Sequence, residues 1–164
     1  MPTDWDTIVR DNAAVVLNAA FRVLGRLADA EDVAQEVFLE AFRKWPAAHN
    51  EWPGLLKRMA VCRAIDALRA RRLPDPLPEG ELPDRECREP GEELLAGERQ
   101  QLLRAALAQL APREAEVFCL HHFEGANHAR IAELLGIEYG AVATALSKAR
   151  TKIRAAVVPV EQGD

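Results

Sequence analysis

Cys119, His121, His122 and His128 are the residues whose types invite metal or nucleophilic chemistry within one short span. Cys119 and His122 stand i, i+3 on one helical stretch, and His128 follows past a turn. Neither a CxxC nor an HxxxH spacing is present, and a structural zinc site needs four ligands in register, so the pattern predicts no metal. No Ser/His/Asp arrangement, Gly-rich phosphate loop or convergent pair of carboxylates accompanies them, so neither catalysis nor a cofactor is expected. What remains is recognition by charge and shape. The candidates are an acid–amide cluster at Asp32, Gln35 and Glu36, a basic run over 57–72, and a patterned stretch over 127–154.

These groups need helices to position them. Alanine, leucine, glutamate and arginine dominate the 164 residues, aromatics are 5%, and no alternating β-branched run occurs, which predicts an all-α protein. In the stretch from Asp29 to Trp45, Asp29 is read as the N-cap, with acids in the first turn and Arg43 and Lys44 at the far end, each complementing the helix dipole. Ala34, Phe38, Ala41 and Trp45 share one face, widened by Val37 and Phe42, and predict a core side. Asp32, Gln35, Glu36, Leu39 and Arg43 fall on the other side. The plain reading of that side is a solvated acidic face.

Upstream, residues 5–27 carry an apolar stripe of Ile8, Val15, Val16, Ala19, Ala20, Val23 and Leu24, with a break at Gly25. Downstream, 54–72 read as a third helix with Leu55, Met59, Cys62, Ile65 and Leu68 at helical spacing, broadened by Leu56 and Ala60. Its six basic residues, Lys57, Arg58, Arg63, Arg69, Arg71 and Arg72, meet one acid, Asp66. They are either a solubilising face, with Arg63 paired to Asp66, or a face that tracks phosphates.

The net charge of −5 is unevenly spread. Residues 1–72 hold 11 basic and 10 acidic side chains, 73–100 hold 3 and 9, and 101–164 hold 7 and 7. The acidity is central, and residues 73–97 also contain five prolines, so they read as a linker between two small domains, 1–72 and 98–158. Three cysteines at 62, 87 and 119 imply no disulfide framework. No run approaches the length of a membrane span and the N-terminus lacks a signal-peptide pattern, so a cytoplasmic protein is expected.

In the second domain, Leu102, Leu103, Ala106, Leu107 and Leu110 mark one helix, and Pro112 opens a second carrying Val117, Phe118 and Leu120. Asn127 reads as an N-cap, Ile131, Leu134 and Leu135 as a short helix, and Gly136 as a tight turn with Ile137 beneath it. Val142, Leu146, Ala149 and Ile153 then run i, i+4, i+7, i+11. Short helix, Gly turn and longer helix with a basic end predict a helix-turn-helix.

Asp-Ala-Glu-Asp-Val-Ala-Gln-Glu-Val-Phe, from Asp29, resembles the helix by which bacterial sigma factors dock on the clamp of core RNA polymerase. The run Leu55–Arg69 resembles the segment that melts and grips the −10 element in the small extracytoplasmic-function (ECF) type. Leu110-Ala-Pro-Arg-Glu-Ala-Glu-Val-Phe118, Ile131-Ala-Glu-Leu-Leu-Gly-Ile137 and Val142-Ala-Thr-Ala-Leu-Ser-Lys-Ala-Arg150 resemble its −35-reading domain. The resemblance implies core-polymerase contact by Asp32, Gln35, Glu36 and Leu39. It implies −10 DNA contact by Trp52, Lys57, Arg58, Cys62, Arg63, Arg69, Arg71 and Arg72, and −35 contact by Tyr139, Thr144, Ser147, Lys148, Arg150 and Lys152, with Arg154 extending the basic end. Partners implied are core RNA polymerase, promoter DNA and, as is common in the family, an anti-sigma factor.

The chain departs from that family in two places. Cys62 stands where relatives carry asparagine, and a thiol is the poorer hydrogen-bonding group for holding an unstacked base. The loop 47–52 is the alternative base-capturing element, although a tryptophan flanking a helix, such as Trp52, fits a core better. Ala141, Ala143 and Ala145, beside Thr144, stand where relatives have polar side chains, which predicts relaxed −35 reading. A sigma-like regulator without independent promoter recognition, and a DNA-binding protein of response-regulator type, are the competing readings.

Overall fold

The computed structural model describes residues 4–44, 51–71 and 90–161, with side chains described only from 97 in the first helix of the second domain and up to 157 in the last. These residues form seven helices: α1 (Trp5–Leu24), α2 (Leu27–Lys44), α3 (Trp52–Ala70), α4 (Pro90–Gln109), α5 (Pro112–His122), α6 (His128–Leu135) and α7 (Tyr139–Glu161).

Each boundary has a local cause. Asp4 caps α1 by accepting from the Thr7 N–H at 3.3 Å. Gly25 ends α1 in the left-handed region at φ 73°, and its N–H bonds the Phe21 carbonyl. α2 starts at Leu27, two residues ahead of the expected cap. Asp29 therefore lies in the first turn, and its carboxylate accepts from Arg71 at the far end of α3. α4 begins at Pro90, inside the stretch read from sequence as linker. The rest of that stretch, 73–89, lies outside the described residues, as do Trp45, Arg72, Cys87 and the loop 47–50.

α1, α2 and α3 make a first bundle packed with small apolar side chains. Val16, Ala19, Ala20 and Val23 meet Ala30, Val33, Val37 and Ala41, with Leu56, Ala60, Ala64, Ile65 and Leu68 closing the core. The buried stripe of α2 is thus set one residue off the expected one. Ala34 and Phe38 are only partly buried at its margin, and Phe42 is 54% exposed, with its ring 5.2 Å from Trp5 at the bundle edge. The seam is alanine- and valine-sized, so neighbouring helices come close and the two phenylalanines are pushed to the sides.

α4–α7 make a second bundle around Leu107, Leu110, Val117, Phe118, Leu120, Ile131, Val142, Leu146, Ala149 and Ile153. Asn127 caps α6 by accepting from the Arg130 N–H at 2.8 Å, and Gly136 ends it at φ 66°. Ile137 packs against the core just beyond, so α6, the glycine turn and α7 form the expected helix-turn-helix.

The two bundles touch. α3 packs on α4, α5 and α6. Arg130 of α6 holds the Glu51 carboxylate with both terminal nitrogens, at 3.0 and 3.1 Å, and Arg22 of α1 holds Glu124 at 2.9 Å.

Candidate functional site

The outer face of α2 is the simplest to build. With Val33, Val37 and Ala41 fixed inward, a helix of 3.6 residues per turn must turn Asp32, Gln35, Glu36 and Leu39 outward, and all four are exposed. Leu39 is 55% exposed and sits in the middle of this acid–amide surface, one turn from Phe42. The neighbouring acid, Glu40, has a different fate: it accepts from Arg63 at 2.7 and 2.9 Å and pairs with Lys44 at 3.0 Å. Burial pushes the Glu40 carboxyl up, but those two cations more than offset this and hold it below the usual carboxylate range.

The basic run of α3 is divided. Arg63 crosses to α2, where Nε and one terminal nitrogen both donate to Glu40 Oε2, and it is not paired with Asp66 as the i, i+3 spacing suggested. Arg69 donates to the Leu110 carbonyl. Arg71 donates to the Leu24 carbonyl at 2.6 Å and to Asp29. Three of the expected phosphate contacts are thus engaged within the protein, while Lys57 and Arg58 stay partly exposed. Trp52 is 8% exposed, its ring edge-on to Trp5 at 5.0 Å, so it is part of the core and not a free stacking platform.

Cys62 is placed differently from its sequence reading. It faces the second bundle, and its thiol lies against the Glu116 carboxylate of α5. Burial first, then the charge of Glu116, pushes its pKa up to about 12. A thiol so placed is a poor nucleophile, and the side chain is only partly exposed.

On α7, Tyr139 is 59% exposed, and Thr144, Ser147 and Lys148 are exposed with it. Ala141 and Ala143 are exposed as expected, but Ala145 is 8% exposed: three residues after buried Val142, it turns under the helix and belongs to the core. Two basic residues have local partners. Arg150 Nε donates to His122 Nε2 at 3.2 Å, and Lys152 Nζ donates to Glu114 Oε1 at 2.8 Å. Arg154 is exposed. His121, His122 and His128 pack ring against ring, with His128 also beside Tyr139. Among the described residues no group of three His, Cys, Asp or Glu is arranged to hold a metal ion, and no helix is long and apolar enough to cross a membrane.

Sequence reasoning missed the pairs that join the bundles. Glu51 and Arg130 are 79 residues apart, and Arg22 and Glu124 are 102 apart, so no local spacing could reveal them.

Two small helical bundles, one with an exposed acid–amide face and the other ending in a helix-turn-helix, define a protein of the class that carries a helix-turn-helix beside a second helical module. Comparison with known proteins gives the family. Residues 8–73 match the model for sigma-70 region 2, and residues 100–153 match that for sigma-70, region 4. The chain belongs to the sigma-70 family and has the two-region arrangement of its ECF members. It is 32% identical to the ECF RNA polymerase sigma factor SigE of Mycolicibacterium smegmatis over 94% of this chain, and spans 61% of that protein's length. It is 26% identical to the RNA polymerase sigma-E factor of Streptomyces avermitilis over 92% of this chain and 83% of that one. Among solved structures, the fold is shared with the ECF sigma factor SigJ of Mycobacterium tuberculosis at TM-score 0.58 and 24% identity, covering 89% of this chain and 53% of that one. It is shared also with CnrH, solved in complex with the cytosolic domain of CnrY, at TM-score 0.57 and 22% identity, covering 92% and 85%.

Proposed function

We propose that this chain is a sigma factor that binds core RNA polymerase through the outer face of α2 and directs promoter-specific initiation in the cytoplasm. The observation that carries this reading is the joint exposure of Asp32, Gln35, Glu36 and Leu39 on a helix whose opposite face is fully packed. An apolar side chain set among carboxylates is the composition of a protein-docking surface, and nothing in the fold of the chain requires it. The chain contributes no bond-making step; the polymerase does the chemistry, and binding energy to exposed bases drives melting.

DNA contact is assigned to Lys57 and Arg58 on α3, and to Tyr139, Thr144, Ser147, Lys148, Arg150 and Lys152 on α7. Arg69 and Cys62 reach DNA only if the two bundles part, Arg63 and Arg71 only by exchanging their partners within the first bundle, and Arg72 completes the basic end of that stretch. Binding of both modules to one polymerase supplies effective concentration, so a sparse recognition helix suffices. An anti-sigma partner of the kind named with related structures is part of the same proposal.

The test is transcription from a selected promoter pool by purified core polymerase with and without this protein. Promoter-specific transcripts are expected, and Asp32→Ala with Glu36→Ala should abolish both them and co-elution with core, while helix content stays unchanged. Core binding with no promoter selectivity would favour the regulator lacking its own promoter recognition.

A further inference from the structure

A cavity of about 360 Å³ opens between α1 of the first bundle and α4 and the end of α5 of the second, lined by Phe21, Arg22, Gln100, Leu103, Arg104 and Phe123. The volume suits a small organic molecule, and a mostly apolar wall with a few polar groups is the usual make-up of such sites. The two cations are not equivalent. Arg22 is neutralised by the Glu124 carboxylate, which it holds through one nitrogen at 2.9 Å to each oxygen. Arg104 has no such partner among the described residues. Its Nε donates to the Val23 carbonyl at 3.2 Å, and its guanidinium lies over Gly25, where a Cβ would come within 2.3 Å of Cζ.

The charge that acts on Arg104 is another cation, Arg71, whose own charge is met by Asp29. Burial first, and Arg71 second, hold the Arg104 pKa below the usual arginine range. The carbonyl end of α1 supplies a partial negative charge, roughly half a unit for a whole helix terminus, and Arg71 already shares it through the Leu24 carbonyl. Among the described residues this guanidinium has one hydrogen bond and no carboxylate, and with an apolar cavity beside it the group is an incomplete ion pair.

We propose that this cavity binds a small organic anion, its carboxylate on Arg104, its apolar body against Phe21, Leu103 and Phe123, and a polar substituent within reach of the Gln100 amide. The walls come from both bundles, so the bound anion holds them together. The test of this site needs neither polymerase nor promoter.

The experiment is calorimetric titration of the full chain with 1-naphthoate and, separately, with the neutral 1-naphthalenemethanol. Naphthoate should bind roughly tenfold or more tightly than the alcohol, the advantage of a charge-assisted contact. Arg104→Gln should bring the two within about twofold of each other. Leu103→Trp, which fills the cavity and keeps its charges, should abolish binding of both. The idea is overturned by absence of heat with up to about 5 mM naphthoate, by equal affinity for the alcohol, or by naphthoate binding that survives Leu103→Trp. Circular dichroism establishes that each variant is folded; if Arg104→Gln is not, Leu103→Trp and the alcohol comparison decide alone.

Discussion

Two side-chain pairs on the helix-turn-helix module tie its charge to its neighbours. Lys152 is held by Glu114, which also accepts from the Ala111 N–H at 3.3 Å. Glu114→Gln keeps the backbone cap but releases the ammonium, so the slope of log K against log salt for DNA binding should steepen by about 0.9. The hydrogen bond from Lys152, before the other causes, holds the Glu114 carboxyl below its ordinary value of 4.5. Its stabilisation is therefore complete above that pH and lost as pH falls through the depressed value, and thermal melts of the Gln variant should lack this part of the acid-side decline. His122 works with the opposite charge but in the same direction of pH. Burial, then Arg150 and His121, lowers its pKa from 6.5, and the Arg150 hydrogen bond needs a neutral ring. Stability from this group is complete above about pH 6.5 and falls as the ring is forced to protonate below it. In His122→Asn, the drop in melting temperature between roughly pH 7.5 and 5.5 should be smaller than in the parent.

At the scale of elements, two glycines end helices in the left-handed region for different additional reasons. Gly136, at φ 66°, has nothing within 4 Å of an added Cβ, so Gly136→Ala should cost only the backbone penalty, about 1–2 kcal/mol in urea unfolding. Gly25, at φ 73°, carries the same penalty and also seats the Arg104 guanidinium. Gly25→Ala should therefore cost more than Gly136→Ala, and in an Arg104→Gln background the excess should shrink. Equal costs for the two substitutions in the parent would show that the guanidinium does not depend on that seat. The sequence marked both glycines as breaks, from their position between apolar stripes. It could not mark Arg104 as the side chain that one of them admits, because the two are on different bundles.

For the whole molecule, the contact between bundles sets what each can reach. The outer face of α2 stays open while the side of α3 that carries Cys62 is partly covered by the second bundle. Cys62 reports this contact. With its pKa raised to about 12, its thiolate is scarce at neutral pH, and labelling by a disulfide reagent in a Cys87→Ser background should be well over tenfold slower than for a free cysteine. Glu51→Lys replaces the bidentate pair with Arg130 by like charges. It should speed Cys62 labelling and increase the radius of gyration in solution scattering, with little change in helix content. Unchanged labelling in that variant would mean that the remaining contacts, the Arg22–Glu124 pair and the apolar packing among them, are enough to keep the bundles together.

The fold class, the helix-turn-helix and the outward set Asp32, Gln35, Glu36 and Leu39 were legible in the sequence because each follows from helical period over a few turns, where neighbours in sequence are neighbours in space. Val142, Leu146, Ala149 and Ile153 show this: their spacing alone placed all four inside. Tertiary structure decided the rest, because it depends on which distant group arrives. Arg63 met Glu40 before it could pair with Asp66, Asp29 was taken by Arg71, Ala145 and Trp52 were drawn into cores, and Cys62 was closed over by Glu116. A charged or small side chain carries no periodic signature of its partner, so its fate is fixed only when the helices are packed.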